Sequence, residues 1–465
     1  MQSSRSMTTG RPLGLLLRFA FPLMLGNIFQ LIYTIADSAV VGRLIGVNAF
    51  AAVGAAGTIY WLAVNVILGL TQGFGTHIAQ KFGEENPEKL KSSFSMTLFL
   101  TLVMGSALSI TALLLARPML QLLNTPPELL EGAAAYLQIL FAGLIVTFFY
   151  NSFAAAFRAV GNSRTPFYAL ILSSAFNIVL DILLVLWTDL GVAAVAAATI
   201  LSQVLSCLFC LYHLRKITAF HLRPRDLKPK LSVLKELLIL GGPVGFRDLV
   251  IACGGILVQY FINGYGTIFI AGVATAKKMH DLMGIIGGAL DGAIATFVAQ
   301  NYGAKDMQRI RRGVRCAFWL MTGSVLLVIV LLLLFGRQVM GLLFTGDAAQ
   351  VQAVLQIAEE QLRIFLLFLP GLYYLYLFRS SLQGLGNSVM PMVSGFIEFA
   401  VRIAGILILP LLIGKWGVYL PEAVAWPIAA LQLFLAYRIT LRNRETRLRA
   451  SETENTLHTE IHSEP

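Results

Sequence analysis

The chain has 465 residues, of which 57% are hydrophobic and only 13% are charged. Soluble domains usually carry about 25% charged residues, so this composition excludes an ordinary water-soluble domain. Apolar runs of about twenty residues recur along most of the chain, and each is long enough to cross a hydrocarbon core as a helix. We therefore predict an all-α integral membrane protein.

The apolar runs predict twelve transmembrane helices. They are continuous, whereas the strands of a membrane barrel alternate between apolar and polar residues. The predicted crossings cover residues 13–41, 49–76, 92–116, 132–156, 166–187, 191–214, 237–262, 268–297, 314–335, 358–382, 390–413 and 417–437.

Lys and Arg concentrate in the connections on the same side of the membrane as the N-terminus. Only Arg43, Arg117, Arg337 and Lys415 fall in connections on the other side. The positive-inside rule then places both termini in the cytoplasm of a multi-pass protein in the cell membrane. The same bias accounts for the net charge of +11, so we expect the lipid bilayer, and no nucleic acid, as a partner.

Two stretches of the chain are repeated in its second half. AQKFGEENPEKL at 79–90 resembles AQNYGAKDMQRI at 299–310, and FRAVGNSRTP at 157–166 resembles LQGLGNSVMP at 382–391. The repeats predict two six-helix bundles that enter the membrane in the same direction and are related by a pseudo-two-fold axis along the membrane normal. The predicted parts are a cytoplasmic tail, an N-lobe, a cytoplasmic linker, a C-lobe and a polar C-terminal tail, at 1–12, 13–215, 216–236, 237–438 and 439–465.

Glycines at four-residue spacing also occur within the predicted helices, as Gly69/Gly73 and Gly284/Gly288/Gly292. Small residues at this spacing let helix backbones approach closely, so we interpret them as ordinary bundle packing. Residues 444–465 have too few apolar side chains to pack, and we expect them to be disordered.

A lone carboxylate, Asp37, lies within the first apolar run. Asn27, Gln30, Thr34 and Asp37 follow one another at steps of three and four, so they form one polar stripe on a helix. An ionisable group within the membrane usually faces a cavity or a partner. We favour a functional role for Asp37; a buried structural hydrogen-bond acceptor is the alternative.

The fifth and sixth crossings repeat this polar pattern. Asn177 and Asp181 are four residues apart on the fifth crossing, Thr199 lies on the sixth, and Asn151 lies on the fourth. Two carboxylates among amides and hydroxyls can hold a small hard cation or share protons. Pro22, fifteen residues before Asp37, frees a backbone carbonyl and predicts either a hinge or a static kink.

The second half carries a different set of charges. Glu398 and Arg402 are four residues apart, which predicts an ion pair within one helix. The position that corresponds to Asp37 is Val258, so the first-half carboxylate site has no counterpart. The charged groups of this half either line a substrate cavity or lock helices together; they are Arg247, Asp248, Lys277, Lys278, His280, Asp281, Glu398 and Arg402.

Four features together resemble the multidrug and toxic compound extrusion (MATE) family: the duplication of a six-helix unit, IADSAVVGRLIG at 35–46, AQNYGAKDMQRIRRG at 299–313 and the paired GNS turns. The resemblance covers residues 13–438. It implies export of organic cations and drugs coupled to entry of Na⁺ or H⁺. Asp37, Asn177 and Asp181 match the N-lobe ion site of the DinF-like branch, Asn151 and Thr199 are similar to further members of that site, and Pro22 matches its helix 1 proline.

Within this resemblance, the chain departs from the NorM-like branch, whose acidic residues lie in the C-lobe. The site that the resemblance implies is an H⁺ or Na⁺ coupling site, with Na⁺ at Asp37, Asn177, Asp181 and Thr199 and Asn151 as a further member. The substrate cavity is expected at Gln30, Tyr33, Arg247, Lys277, Lys278, Glu398 and Arg402.

We therefore expect a monomeric antiporter that exports amphipathic, often cationic small molecules and needs no cofactor beyond its coupling ion. A flippase for lipid-linked or anionic amphiphiles of the same superfamily is the alternative, and Arg247, Lys277, Lys278 and Arg402 favour it. The chain has no HExxH or GxSxG motif, so an enzyme is not expected. A channel is a third possibility, which flux far above carrier rates would indicate.

Overall fold

The computed structural model describes residues 6–123, 125–344 and 348–461, without the side chains of 47, 224, 225 and 447–461. In these ranges the fold is almost entirely helical. The α-helices are α1 (Pro12–Val40), α2 (Val47–Gly83), α3 (Pro87–Leu122), α4 (Pro127–Ala142), α5 (Leu144–Ala159), α6 (Arg164–Trp187), α7 (Val192–Leu214), α8 (Leu231–Ile262), α9 (Thr267–Gly303), α10 (Met307–Gly341), α11 (Ala348–Gly384), α12 (Val389–Ile413) and α13 (Trp416–Ile461).

Eleven of the described helices are long and apolar enough to cross a membrane by themselves. α4 and α5 together make a further candidate crossing, bent by 45° at the break between them. The prediction of an all-α membrane protein is therefore confirmed. The fourth crossing was predicted as one run over 132–156, and the structure breaks it at Gly143, where a Cβ would lie 2.1 Å from Ile200 of α7.

The chain divides into two compact units. Unit 1 contains Met1–Ser6 and Leu17–Cys253, and unit 2 contains Met7–Leu16 and Gly254–Pro465. The first residues of α1 thus belong to unit 2, and most of α8 belongs to unit 1. The lobe limits drawn from the sequence stay a prediction.

The repeated stretches adopt matching backbone conformations. Glu85 and Lys305, 220 positions apart, have φ of 54° and 59°, in a region that few non-glycine residues adopt. Gly161 and Gly386, 225 positions apart, have φ of 81° and 77° at the GNS turns, where glycine adopts the left-handed conformation without strain. The two halves therefore share unusual turns as well as sequence.

In unit 1, α2 and α8 pack with their backbones in close approach. A Cβ on Gly69 would lie 2.6 Å from the Cα of Gly245, and a Cβ on Gly73 would lie 2.3 Å from the Cα of Gly241. Four glycines, two on each helix, thus form this contact, and any side chain would push the helices apart. In unit 2, a Cβ on Gly287 would lie 2.9 Å from the Tyr376 ring, whereas a Cβ on Gly284 would lie 4.0 Å from the Tyr376 hydroxyl.

In unit 2, the segment before α1 is held by the ends of α9 and α10. Gln300 accepts a hydrogen bond from the Met7 backbone N–H at 2.7 Å. The Met7 carbonyl accepts hydrogen bonds from Asn301 at 3.2 Å and from Arg309 at 3.0 Å, and Arg309 also donates to the Gly10 carbonyl at 2.8 Å. The repeated stretch at 299–310 therefore has a structural task, which is to bind this backbone.

The polar C-terminal tail is helical as far as Ile461, because α13 continues through it. Our expectation of disorder is therefore wrong for residues 444–461, while 462–465 lie outside the described residues. Arg311 of α10 forms an ion pair with Glu445. Arg and Glu are frequent in the tail, and both favour a helix even without apolar packing.

Candidate ion-coupling site

The two carboxyl groups that the sequence predicts within membrane-crossing helices of the first half lie together in unit 1. Asp37 of α1 and Asp181 of α6 are hydrogen-bonded to each other through their side chains. Asp181 is completely buried, and Asn177, one helical turn before it, is 1% exposed. The structure thus brings the polar positions of α1 and α6 into one region, although Asp37 and Asp181 are 144 positions apart in sequence.

A hydrogen bond between two carboxyl groups requires a proton, because ionised carboxylates only accept hydrogen bonds. Asp37 Oδ1 is buried without a hydrogen-bond partner in the described part of the chain. The pair therefore suits one proton held between two acids. Its oxygen atoms, with those of Asn177 and Thr199, are also the donor type that Na⁺ prefers, so the residues fit either ion.

A tyrosine side chain completes the surroundings of the acid pair. Tyr33 is four residues before Asp37 on α1, interacts electrostatically with both acids, and forms a hydrogen bond with Thr199 of α7. Tyr136 of α4 also lies within electrostatic range of both carboxyl groups. We placed Tyr33 in the substrate cavity from its sequence, whereas the structure places it at the acid pair. Tyr136 carried no sequence signal, because no polar neighbour marks it at helical spacing.

Asn151 forms no hydrogen bond with the acid pair in the described residues. Its side-chain amide donates to the Thr147 carbonyl of its own helix at 2.8 Å. The Thr147 hydroxyl in turn donates to Gln203 of α7. Asn151 therefore belongs to the polar contact between α5 and α7, one turn from Thr147.

The remaining polar residues of α1 bond within their own helix or are exposed. Thr34 donates to the Gln30 carbonyl at 2.9 Å, and the Gln30 side chain is exposed. Pro22 is buried, and α1 stays helical on both sides of it, from Pro12 to Val40. A π-helical turn at Val41–Ile45 then ends the helix, just after the acid.

The charged pair of α8 is buried in unit 1. Arg247 is 5% exposed and lies 2.7 Å from the carboxylate of its neighbour Asp248. Its guanidinium also donates to Gln72 of α2 at 3.5 Å. Arg247 thus connects α8 to α2 beside the glycine contact.

Glu398 in unit 2 forms the ion pair with Arg402 that the sequence predicts, and it has a second partner that the sequence does not reveal. Arg402 lies 3.7 Å away on the same helix, α12, which is an ion pair at long range. The hydrogen-bonded partner of Glu398 is Arg379 of α11, and Arg402 also approaches Glu422 of α13 at 3.6 Å. Arg379 and Glu422 were missed because their partners lie on other helices, where sequence spacing carries no information. Lys277 and Lys278 are exposed on α9.

Comparison with known proteins shows close likeness along nearly the whole chain. The family model MatE matches residues 22–183 and again 243–408. The Probable multidrug resistance protein YoeA of Bacillus subtilis (strain 168) is 29% identical over 418 residues, covering 87% of this chain and 85% of that protein. The Multidrug export protein MepA of Staphylococcus saprophyticus subsp. saprophyticus is 24% identical over 441 residues, covering 93% of this chain and 94% of that protein. A solved structure, "Crystal structure of MATE in the bent conformation", superimposes with a TM-score of 0.87 at 23% identity, covering 95% and 98%.

Proposed function

Because the chain belongs to the MATE family of membrane transporters, we propose that it is a secondary active antiporter, which exports amphipathic, often cationic compounds in exchange for protons. Na⁺ is the alternative coupling ion. The observation that carries the proposal is the hydrogen bond between Asp37 and Asp181, since it joins two helices only while a proton is present.

The acid pair gives the proton a mechanical consequence. With one proton between them, the two carboxyl groups hold α1 against α6 in unit 1. Without it, two negative charges face each other in a buried site, where their repulsion is stronger than in water. Loss of the proton therefore favours a conformation of α1 in which Asp37 moves away from Asp181, and Pro22 is the position on α1 at which such a movement bends the helix most easily.

Antiport follows if the two conformations differ in their affinity for the exported compound. A ligand shifts a conformational equilibrium by as much as its affinities for the two states differ, and the coupling is reciprocal. A proton at Asp37 and Asp181 then lowers the affinity for the substrate at a separate site, and the substrate lowers the affinity for the proton. The two are therefore released on opposite sides of the membrane. Alternating access between two six-helix bundles provides the route.

Two relatives support drugs as the substrate class. YoeA is named as a probable multidrug resistance protein and MepA as a multidrug export protein. From the distribution of Lys and Arg, we place both termini in the cytoplasm. We expect the chain to work as a monomer, because each half supplies its own bundle.

Transport of a cationic dye into inside-out vesicles tests the proposal. A pH gradient is imposed in the absence of Na⁺, and in a parallel sample a Na⁺ gradient is imposed at equal pH. We expect the wild-type protein to accumulate dye with the pH gradient and Asp37→Asn to accumulate none. Asp189→Asn, which removes an exposed carboxylate after α6, is the matched control and should transport normally. Wild-type accumulation by Asp37→Asn at equal expression would refute the role of the acid pair.

A further inference from the structure

Unit 2 contains a row of side chains that alternate in charge. Its members come from four helices, and we call them the charge row: Arg379, Glu398, Arg402, Glu422 and Lys277. Arg379 is hydrogen-bonded to Glu398, Arg402 lies between the two glutamates, and Lys277 interacts electrostatically with Glu422. His280 also lies within electrostatic range of Arg402, Glu422 and Asp281, and Asp291 lies near Tyr376 at the Arg379 end.

Arg402 is held only loosely in the middle of this row. It is 9% exposed, yet its guanidinium lies 3.7 Å from Glu398 and 3.6 Å from Glu422 and makes no hydrogen bond in the part of the chain that the structure describes. Its Nε is buried without a partner. A buried guanidinium is normally satisfied by short, often bidentate bonds to a carboxylate or a phosphate. Arg402 therefore has unused donor capacity inside the protein.

The charge row is closed at one end and open at the other. The Glu398 side chain is 4% exposed and bonds to buried Arg379, whereas the Glu422 side chain is 31% exposed and Lys277 is exposed. Beside the open end, the His280 ring stacks on Trp426 with centroids 5.3 Å apart and planes 18° apart. Trp426 itself is 1% exposed, so a ligand that enters at Glu422 meets the His280 ring, whose side chain is 22% exposed, and then the guanidinium of Arg402.

The alternation of charge selects the kind of ligand that fits. A purely cationic headgroup at Glu422 has Arg402 and Lys277 on either side, which repel it, and a purely anionic headgroup at Arg402 has a glutamate on either side. In a poorly solvated site such repulsion is costly. A headgroup with both charges pairs with both neighbours and adds no net charge.

From these observations we infer that the charge row is a binding site for zwitterionic amphiphiles, in which an acidic group binds Arg402 and the cationic group binds Glu422. The inference rests on the proposed export function, since it names a substrate class for it. Rhodamine B, which carries a carboxylate and a cationic ring system, and its ethyl ester, which carries only the cation, are matched probes for the site.

Fluorescence polarisation with the purified full chain measures equilibrium binding of the two dyes without any ion gradient. For Arg402→Gln we expect a loss of at least tenfold in affinity for rhodamine B, whereas the affinity for the ester should stay the same or increase, because a guanidinium that repels the cation has been removed. Arg402→Lys, which keeps the charge, should retain part of the affinity for rhodamine B that Arg402→Gln loses. Arg363→Gln, which removes an exposed arginine of α11 that lies 3.9 Å from Glu359, is the matched control and should bind both dyes as the wild-type protein does. Glu422→Gln should weaken binding of both dyes, since both carry the cation.

Equal affinity of the wild-type protein and Arg402→Gln for rhodamine B would overturn the inference. An equal loss of both dyes in Arg402→Gln and in Arg402→Lys, with normal gel-filtration profiles, would also overturn it and indicate a purely structural ion pair. Asp181→Asn separates this result from the proposed function: the variant cannot couple ions, and adding Arg402→Gln to it should still lower the affinity for rhodamine B at least tenfold. Competition with lysophosphatidylethanolamine distinguishes two sources of the zwitterionic ligand. Displacement of the dye from the wild-type protein indicates a lipid headgroup, and no displacement indicates a drug-like zwitterion.

Discussion

Asp37 and Asp181 are hydrogen-bonded to each other, so two acidic side chains from α1 and α6 occupy one buried region of unit 1. Ionisable side chains within membranes face a cavity or pair with one another, and here the two acids are paired with each other. Because this contact requires a proton, it forms when the proton binds and breaks when the proton leaves.

Asp181→Asn imitates the protonated state permanently. The amide N–H of asparagine can donate to the Asp37 carboxylate in place of the shared proton. We expect this variant to be at least as thermally stable as the wild-type protein, and we expect its dye affinity to be the same between pH 6 and pH 8, whereas that of the wild-type protein changes. Dye binding to the purified protein at both pH values measures this. A wild-type pH dependence in the variant would show that proton-linked binding arises elsewhere.

Tyr33 and Thr199 should act as one unit, because their side chains are hydrogen-bonded at the acid pair. Tyr33→Phe and Thr199→Val each remove that bond, so the double variant should lose hardly more transport activity than either single variant. Initial rates of dye transport for the four proteins form the double-mutant cycle. Additive losses would mean that the two side chains act independently. Tyr60→Phe, which removes a tyrosine hydroxyl from the Thr147 contact, controls for a general loss of hydroxyl groups.

Gly73→Ala should destabilise unit 1, because its Cβ would lie 2.3 Å from the Gly241 backbone. Overpacking of this kind costs about 1–3 kcal/mol. Gly57→Ala on the same helix meets no atom within 4 Å and is the matched control, which should be neutral or slightly stabilising. Thermal unfolding followed by fluorescence-detected gel filtration compares them. Equal midpoints for the two variants would contradict the close packing of α2 on α8.

Arg309→Ala should release the segment before α1 from unit 2. Its guanidinium donates to the carbonyl groups of Met7 and Gly10, and charge-assisted bonds contribute about 1.5–3 kcal/mol. We expect a lower thermal midpoint and faster proteolysis of the segment that precedes Pro12. Arg312→Ala, which removes an exposed arginine one turn further along α10, should change neither quantity. If Arg309→Ala were as resistant to proteolysis as Arg312→Ala, the contact would not hold the segment.

The sequence predicts the fold well, because length and apolarity alone define membrane-crossing helices. Polar spacing on single helices also identified Asp37 on α1 and, separately, Asn177 with Asp181 on α6. Each acid follows another polar residue at the helical repeat. The spacing could not give contacts between helices. The pairing of Glu398 with Arg379 and the bond from Tyr33 to Thr199 depend on how the helices pack, and no sequence interval encodes that.

Two further differences have local causes. The bend at Gly143 depends on how closely Ile200 approaches from α7, which a hydrophobic run does not reveal. Helical structure in the tail depends on backbone preference rather than on burial, so the shortage of apolar residues was a poor guide there.

Proton movement caused by the exported compound tests directly whether Asp37 and Asp181 couple export to protons. Proteoliposomes are loaded with a pH-sensitive dye, and a cationic substrate is added on one side with no pH gradient present. We predict that the wild-type protein moves protons against the substrate flow, and that Asp37→Asn and Asp181→Asn move none while Asp189→Asn behaves as the wild-type protein does. Substrate-driven proton movement at the wild-type rate in either of the first two variants would contradict it.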